Sequence, residues 1–254
     1  MEKGTTILSL VGTSLLGNFE RDNADYLNSR NLRGISTLDL KDPKQQLVLT
    51  YKGELFDKLS DFVTKNPKRY SAELNTIISY LEEEKPKDVK VFLYRTDSNN
   101  VELVTEVIKD YIVKKLGCYV DVIEVRFKED FYSGVLDLVQ KVYKRVAEEK
   151  KNNRVVVMAA TAGFKPETAY ATIAAMLAGA DKAIYMHESM RSLVELPLIA
   201  VEISPAVLKE LESLPARYSP DKHDKLLDSG VAKLGDDRVV KPTEFGRKLY
   251  ESLK

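Results

Sequence analysis

Cysteine is almost absent from this chain of 254 residues, and its single thiol, Cys118, has no partner for an intramolecular disulfide. No CxxC pair and no Cys/His cluster supplies the ligands of a zinc site, so no metal is expected. Tryptophan is missing altogether. An excess of charge of either sign is also lacking: 39 Lys and Arg balance 39 Asp and Glu. That balance argues against a broad electrostatic footprint on duplex nucleic acid or an anionic membrane, while leaving room for a local basic pocket. Long hydrophobic runs are absent as well. The longest, Ala169 to Ala180, falls short of the ~18–20 residues a membrane span requires. The opening MEKGTTILSL carries no basic segment followed by a cleavage site, and a reducing, cytoplasmic setting is the expectation. Two nucleotide fingerprints are missing too. Neither GxGxxG with a later acidic residue nor GxxxxGK[ST] occurs, which counts against an enzyme using a nucleotide cofactor, and no cofactor is expected.

What is present is a core-forming composition, 44% hydrophobic and 31% charged, in which short β-branched runs alternate with long amphipathic stretches. That alternation marks a parallel sheet covered by helices. Strands are expected at Thr6–Val11, Val89–Tyr94, Tyr119–Phe127, Arg154–Ala159, Ala183–Met186 and Leu198–Ile203. Helices are expected at Glu54–Lys65, Ala72–Glu84 with Ser71 as cap, Val101–Leu116 capped by Asp97 or Ser98, Val135–Lys150 and Pro166–Ala178, with a loop-rich span from Arg21 to Tyr51. Composition shifts at Ser204-Pro205, where two short helices, a strand-turn-strand and a last helix follow. The reading is an α/β fold: a Rossmann-like, mostly parallel sheet with helices on both faces in residues 1–203, and a small winged-helix-like segment in 204–254.

Ligands of open parallel sheets bind at the carboxyl ends of the strands. There the first strand delivers Gly12-Thr13-Ser14 and Asn18, and the fourth delivers Thr161-Ala162-Gly163-Phe164-Lys165-Pro166-Glu167. Glycine lets backbone amides approach an anion, and Pro166 suits the first turn of a helix whose N-terminus favours phosphate. Lys165 adds a compact charge, and Thr13 and Ser14 add hydroxyl donors. Arg95 and Thr96 close the second strand at the same edge, and Arg126 and Tyr132 flank the loop after the third.

The segments ILSLVGTSLLGN, TAGFKPETAY, GADKAIYMHES and LVELP together resemble the CRISPR-associated Rossmann fold family, and within it the stand-alone archaeal ring nucleases. The resemblance covers roughly residues 1 to 203. It implies a homodimer whose facing loops hold cyclic tetra-adenylate, and a metal-independent cleavage by the ribose 2′-hydroxyl. The products are linear adenylates ending in a 2′,3′-cyclic phosphate, which switches off type III CRISPR signalling. Ser14 and Lys165 stand where that family's ring-cleaving serine and lysine stand, and Ala162 departs from the pattern where a second glycine is common.

Each residue also has a plainer reading. Ser14 can cap a helix beginning at Leu15, Lys165 can be a solvated lysine, and Asp97 a cap. His187-Glu188 reads as a hydrogen-bonded structural pair, Glu167 as a helix-dipole partner, and Cys118 as a small core residue. Arg217 and His223 fit a loose R-x(4–6)-H ribonuclease pattern, but Pro220 interrupts it. The alternative function is a sensor that binds the ring uncut and moves the C-terminal segment, whose Lys222, Lys225, Lys233, Arg238 and Lys241 leave a DNA contact open.

Overall fold

The computed structural model describes residues 3–127, 130–187, 192–196 and 204–253. In chain order the elements are β1 (Thr5–Leu10), α1 (Ser14–Asp22), α2 (Ala24–Asn28), α3 (Lys44–Thr50), α4 (Lys52–Lys65), α5 (Pro67–Tyr70) and α6 (Ala72–Glu84). Then come β2 (Val89–Thr96), α7 (Asn99–Tyr111), β3 (Tyr119–Val125), α8 (Phe131–Lys151), β4 (Val155–Ala159), α9 (Lys165–Leu177), β5 (Lys182–His187) and β6 (Ser192–Leu196). The C-terminal segment carries α10 (Pro205–Glu212), β7 (Ala216–Arg217), α11 (Pro220–Asp228), β8 (Ala232–Leu234), β9 (Val239–Pro242) and α12 (Glu244–Leu253).

The main sheet runs β3-β2-β1-β4-β5-β6, parallel throughout except for antiparallel β6. Strand order reverses between β1 and β4, which is where such a sheet opens a crevice at its carboxyl edge. Period-two alternation divides the central strands between two cores. Ile7, Val91, Leu93, Val157 and Ala159 face α1, α4, α6 and α7, while Leu8, Leu10, Phe92, Tyr94, Val156 and Met158 face α8 and α9. Burial on both faces explains why these strands read as continuous apolar runs. The expected Rossmann-like α/β architecture is the one observed.

Three differences have physical causes. The Arg21–Tyr51 span is ordered rather than loop, with α2, a 3₁₀ turn at Ile35–Thr37 and α3. Long-range polar contacts hold it. Glu20 accepts from the amide of Ser36 at 3.3 Å, and Asn100 donates to the Ile35 carbonyl at 2.8 Å while its amide donates to Gln45 at 3.1 Å. Secondly, Asp97 does not cap α7, because its carboxylate accepts from the Phe127 amide at 3.1 Å and ties the ends of β2 and β3 together. Thirdly, the strand that follows β5 is Ser192–Leu196, antiparallel; the expected strand at Leu198–Ile203 lies outside the described residues. Helix α7 passes through a π-helical turn at Ile112–Leu116 and stops at Gly117, whose φ of 66° suits a residue without Cβ.

The segment from residue 204 gathers its own small core from Leu211, Leu226, Val231, Ala232 and Val240. Its strands β7, β9 and β8 form a separate antiparallel sheet. α12 lies against α8, where the Gln140 amide donates to the Lys248 carbonyl at 3.5 Å. Among the described residues no helix is long and apolar enough to cross a membrane.

Candidate functional site

The loops after β1 and β4 meet at the point where strand order reverses. A Cβ placed on Gly12 would lie 3.2 Å from the Gly163 nitrogen, so the two loops approach closely there. Gly163 adopts φ +94°, and a Cβ there would lie 2.9 Å from the Leu10 Cβ, so only glycine fits without strain. The Thr168 hydroxyl, one turn into α9, donates to the Ala162 carbonyl at 2.8 Å and pins the second loop.

Residues of these two loops line two cavities. The larger, about 910 Å³, is lined by Ser14, Asn18, Lys68, Arg69, Asn75, Thr161 and His187, and is predominantly polar in residue type. Arg69 is exposed and makes no ion pair among the described residues, whereas Lys68 pairs with Glu82. The smaller, about 750 Å³, is bounded by Gly12, Thr13, Thr96, Phe127, Gly163, Phe164 and Glu167. Both volumes lie in the range of small-molecule sites.

Ser14 is the first residue of α1 and does not cap that helix. Its hydroxyl reaches α6 instead, accepting from the Ala72 amide at 3.1 Å and donating to Glu73 at 3.4 Å. Glu73 is fully buried, and its carboxylate also accepts from the Gly12 amide at 2.7 Å and from Ser71 at 2.6 Å. Burial pushes its pKa up, against the opposing pull of those hydrogen bonds. One turn further along α6, Thr76 donates to the Thr161 hydroxyl at 2.7 Å, and the Met186 amide donates to the same oxygen at 2.8 Å. One helix end therefore braces both loops.

The remaining candidates divide. Gly12, Thr13, Ser14, Asn18, Thr96, Thr161, Gly163 and Phe164 line the paired cavities, with Ala162 buried behind them. Lys165 opens α9 with its side chain exposed and is not among the residues lining either cavity. Arg95 is engaged by Glu124 at 2.7 Å and Glu102 at 3.3 Å. Arg126 is exposed, its amide held by Asp137 at 3.1 Å. Tyr132 is 80% exposed and lines a different hollow, between the start of α8 and the C-terminal segment. Glu167 faces the smaller cavity, where burial raises its pKa to about 7 despite a hydrogen bond from the Phe164 amide.

Sequence reasoning missed Glu73, Thr76, Arg69 and Thr168. For Glu73 a signal existed: an acid stands at residue 73 in register with Ile77 and Tyr80, on a face of α6 that is otherwise buried. Arg69 carried none.

Residues 68–199, just over half of the chain, match the family described as CRISPR-associated protein (Cas_APE2256). The chain belongs to this CRISPR-associated family. The resemblance to CRISPR-associated Rossmann-fold proteins is thereby borne out, and the matched region contains the α6 brace and the β4 loop. Two solved structures are similar at low identity. Protein VC1899 from Vibrio cholerae is 7% identical with a TM-score of 0.44, covering 97% of this chain and 64% of that one. Can2 from Sulfobacillus thermosulfidooxidans, solved in complex with cyclic tetra-adenylate, is 12% identical with a TM-score of 0.35, covering 98% of this chain and 63% of that one. The chain thus spans under two thirds of the length of both.

Proposed function

We propose that two copies of this chain pair with their β1 and β4 loops facing, bind cyclic tetra-adenylate across the two-fold axis in the cytoplasm, and cut it. The observation that carries this reading is the close approach of Gly12 and Gly163 at the sheet's switch point, beside cavities with loop amides and Arg69, in a member of a CRISPR-associated family. A ring with its own two-fold symmetry presents equivalent phosphodiesters to equivalent sites, which makes a symmetric pair of chains the natural receptor.

The chemistry needs little beyond orientation. Each ribose 2′-hydroxyl already lies beside its own phosphorus, so rotating the linkage until that oxygen stands in line with the leaving 5′-oxygen supplies much of the acceleration. The 2′-oxygen–phosphorus bond forms, the phosphorus–5′-oxygen bond breaks, and the proton lost by the 2′-hydroxyl ends on the 5′-oxygen. Ser14 is assigned to hold the ribose in that rotated geometry. Lys165 and the amides of the β4 loop are assigned to the charge growing on the phosphoryl oxygens. Lys165, exposed at the start of α9, reaches the ring from the rim of the site once the second copy closes it.

A second reading has its own support. Ser14 is occupied by Glu73 and Ala72, and Lys165 stands outside both cavities, an arrangement suited to a sensor that binds the ring without cutting it. In that case the C-terminal unit, residues 204–253 docked on α8, carries the response to a partner or to DNA. Incubating the purified protein with the ring in EDTA separates the two readings. Shorter adenylates ending in cyclic phosphate support cleavage, and an intact ring that co-elutes with the protein supports sensing.

A further inference from the structure

Glu73 is a fully buried carboxylate with no cation beside it among the described residues, and the cleavage chemistry above leaves it unused. Burying an unpaired carboxylate costs free energy that an amide of the same shape avoids. The three donors it gathers show what it does for the site. Two of them, the Gly12 amide and the Ser14 hydroxyl, belong to the β1 loop, more than fifty residues away in the chain; the third is its neighbour Ser71.

In its ionised form Glu73 can only accept, and a serine hydroxyl has one hydrogen. With that hydrogen directed to Glu73, and one lone pair taken by the Ala72 amide, Ser14 keeps a single acceptor position towards the cavity it lines. An outward acceptor suits a hydroxyl donor and not a phosphate oxygen. We infer that Glu73 is a positioning residue that fixes the polarity of Ser14, so that Ser14 accepts a hydrogen bond from a ribose 2′-hydroxyl of the ring and distinguishes ribo- from deoxyribo-adenylates. The inference rests on the ring-binding function proposed above.

Glu73→Gln is the informative change. Its carbonyl oxygen still accepts from Gly12, but its amide nitrogen then donates to Ser14 and turns the serine hydrogen outward, reversing the polarity with the shape kept. Binding of cyclic tetra-adenylate and of its all-2′-fluoro analogue, whose 2′-substituent cannot donate, is measured by calorimetry for the wild type and the variant. A 2′-hydroxyl can donate to the wild-type serine or accept from the reversed one, so the wild type is expected to prefer the ribo ring by about ten-fold, as for one lost hydrogen bond, and the variant to lose most of that preference. The same preference in both proteins, or none in the wild type, overturns the inference. If Glu73→Gln does not fold, Ser14→Ala replaces it and is expected to lose the preference likewise. If the wild type binds neither ring, the ring-binding function fails, and the positioning role is decided on the free protein by NMR. The Gly12 amide proton should then shift upfield in Glu73→Gln as a charged acceptor becomes neutral, and an unmoved resonance overturns it.

Discussion

Gly12 and Gly163 approach so closely that a notional Cβ on the first would lie 3.2 Å from the nitrogen of the second, although residues paired between their strands are 150 positions apart in the chain. Both glycines line the smaller cavity, so a methyl added at either should be felt, in stability or in binding. Gly163→Ala places a side chain at φ +94° against Leu10 and should cost about 1–3 kcal/mol of stability. Gly12→Ala needs only a few tenths of an ångström of yielding and should leave the thermal midpoint nearly unchanged while weakening ring binding. Paired melting curves and ring titrations check both.

Lys165→Ala tests the cleavage assignment. The side chain is exposed and lines neither cavity, so the midpoint of unfolding should stay within a degree or two of wild type. Cleavage under single-turnover conditions should fall at least a hundred-fold if the ammonium meets the phosphoryl oxygens. A variant that cuts at the wild-type rate would show that another cation, Arg69 first, does this work.

How far the molecule was legible in its sequence depended on whether local or distant atoms held each piece. β1, β2 and β4 are buried on both faces, so their apolar runs announced them, and Ser71, Gly117 and Pro166 marked helix ends through local chemistry. The Arg21–Tyr51 span is shaped by Glu20, Gln45 and Asn100 acting over tens of residues, which no window of pattern reveals. The same limit applies at the site. The two glycine-bearing loops were recognisable from composition, but the α6 brace of Glu73 and Thr76 beneath them depends on which way a helix is rotated against the sheet.

Glu167 makes a prediction about pH. Its carboxyl pKa is raised by burial from 4.5 to about 7, so the native state holds this proton more tightly than the unfolded chain does. Its contribution to stability is therefore fully present below about pH 4.5 and is lost as pH rises towards 7. Glu167→Gln cannot ionise. The difference in stability between variant and wild type should be small at pH 5 and grow in the variant's favour by pH 8, as read from denaturant midpoints; a constant difference would contradict the assignment.

Beneath the opposite end of the sheet, Arg154 and Glu149 form a buried pair at 3.3 Å, and Thr6 bridges them with hydrogen bonds of 2.8 Å to each. Glu149→Ala leaves the guanidinium with Asp88 as its remaining carboxylate partner among the described residues, and with the Thr5 carbonyl at 2.7 Å, so the loss should be about 1–3 kcal/mol. That corresponds to a fall in Tm on the order of 5 °C for a chain of this size, measured by calorimetry. Ring binding per folded molecule should not change, because the pair is at the edge of the sheet away from the loops.

A single ring site built from the β1 and β4 loops of two chains is tested most directly by the stoichiometry of binding. Titrating cyclic tetra-adenylate into the protein by calorimetry, alongside light scattering for mass, should give one ring for every two chains and a complex of twice the chain mass. One ring per chain with a monomeric complex, or no heat of binding at all, would contradict it.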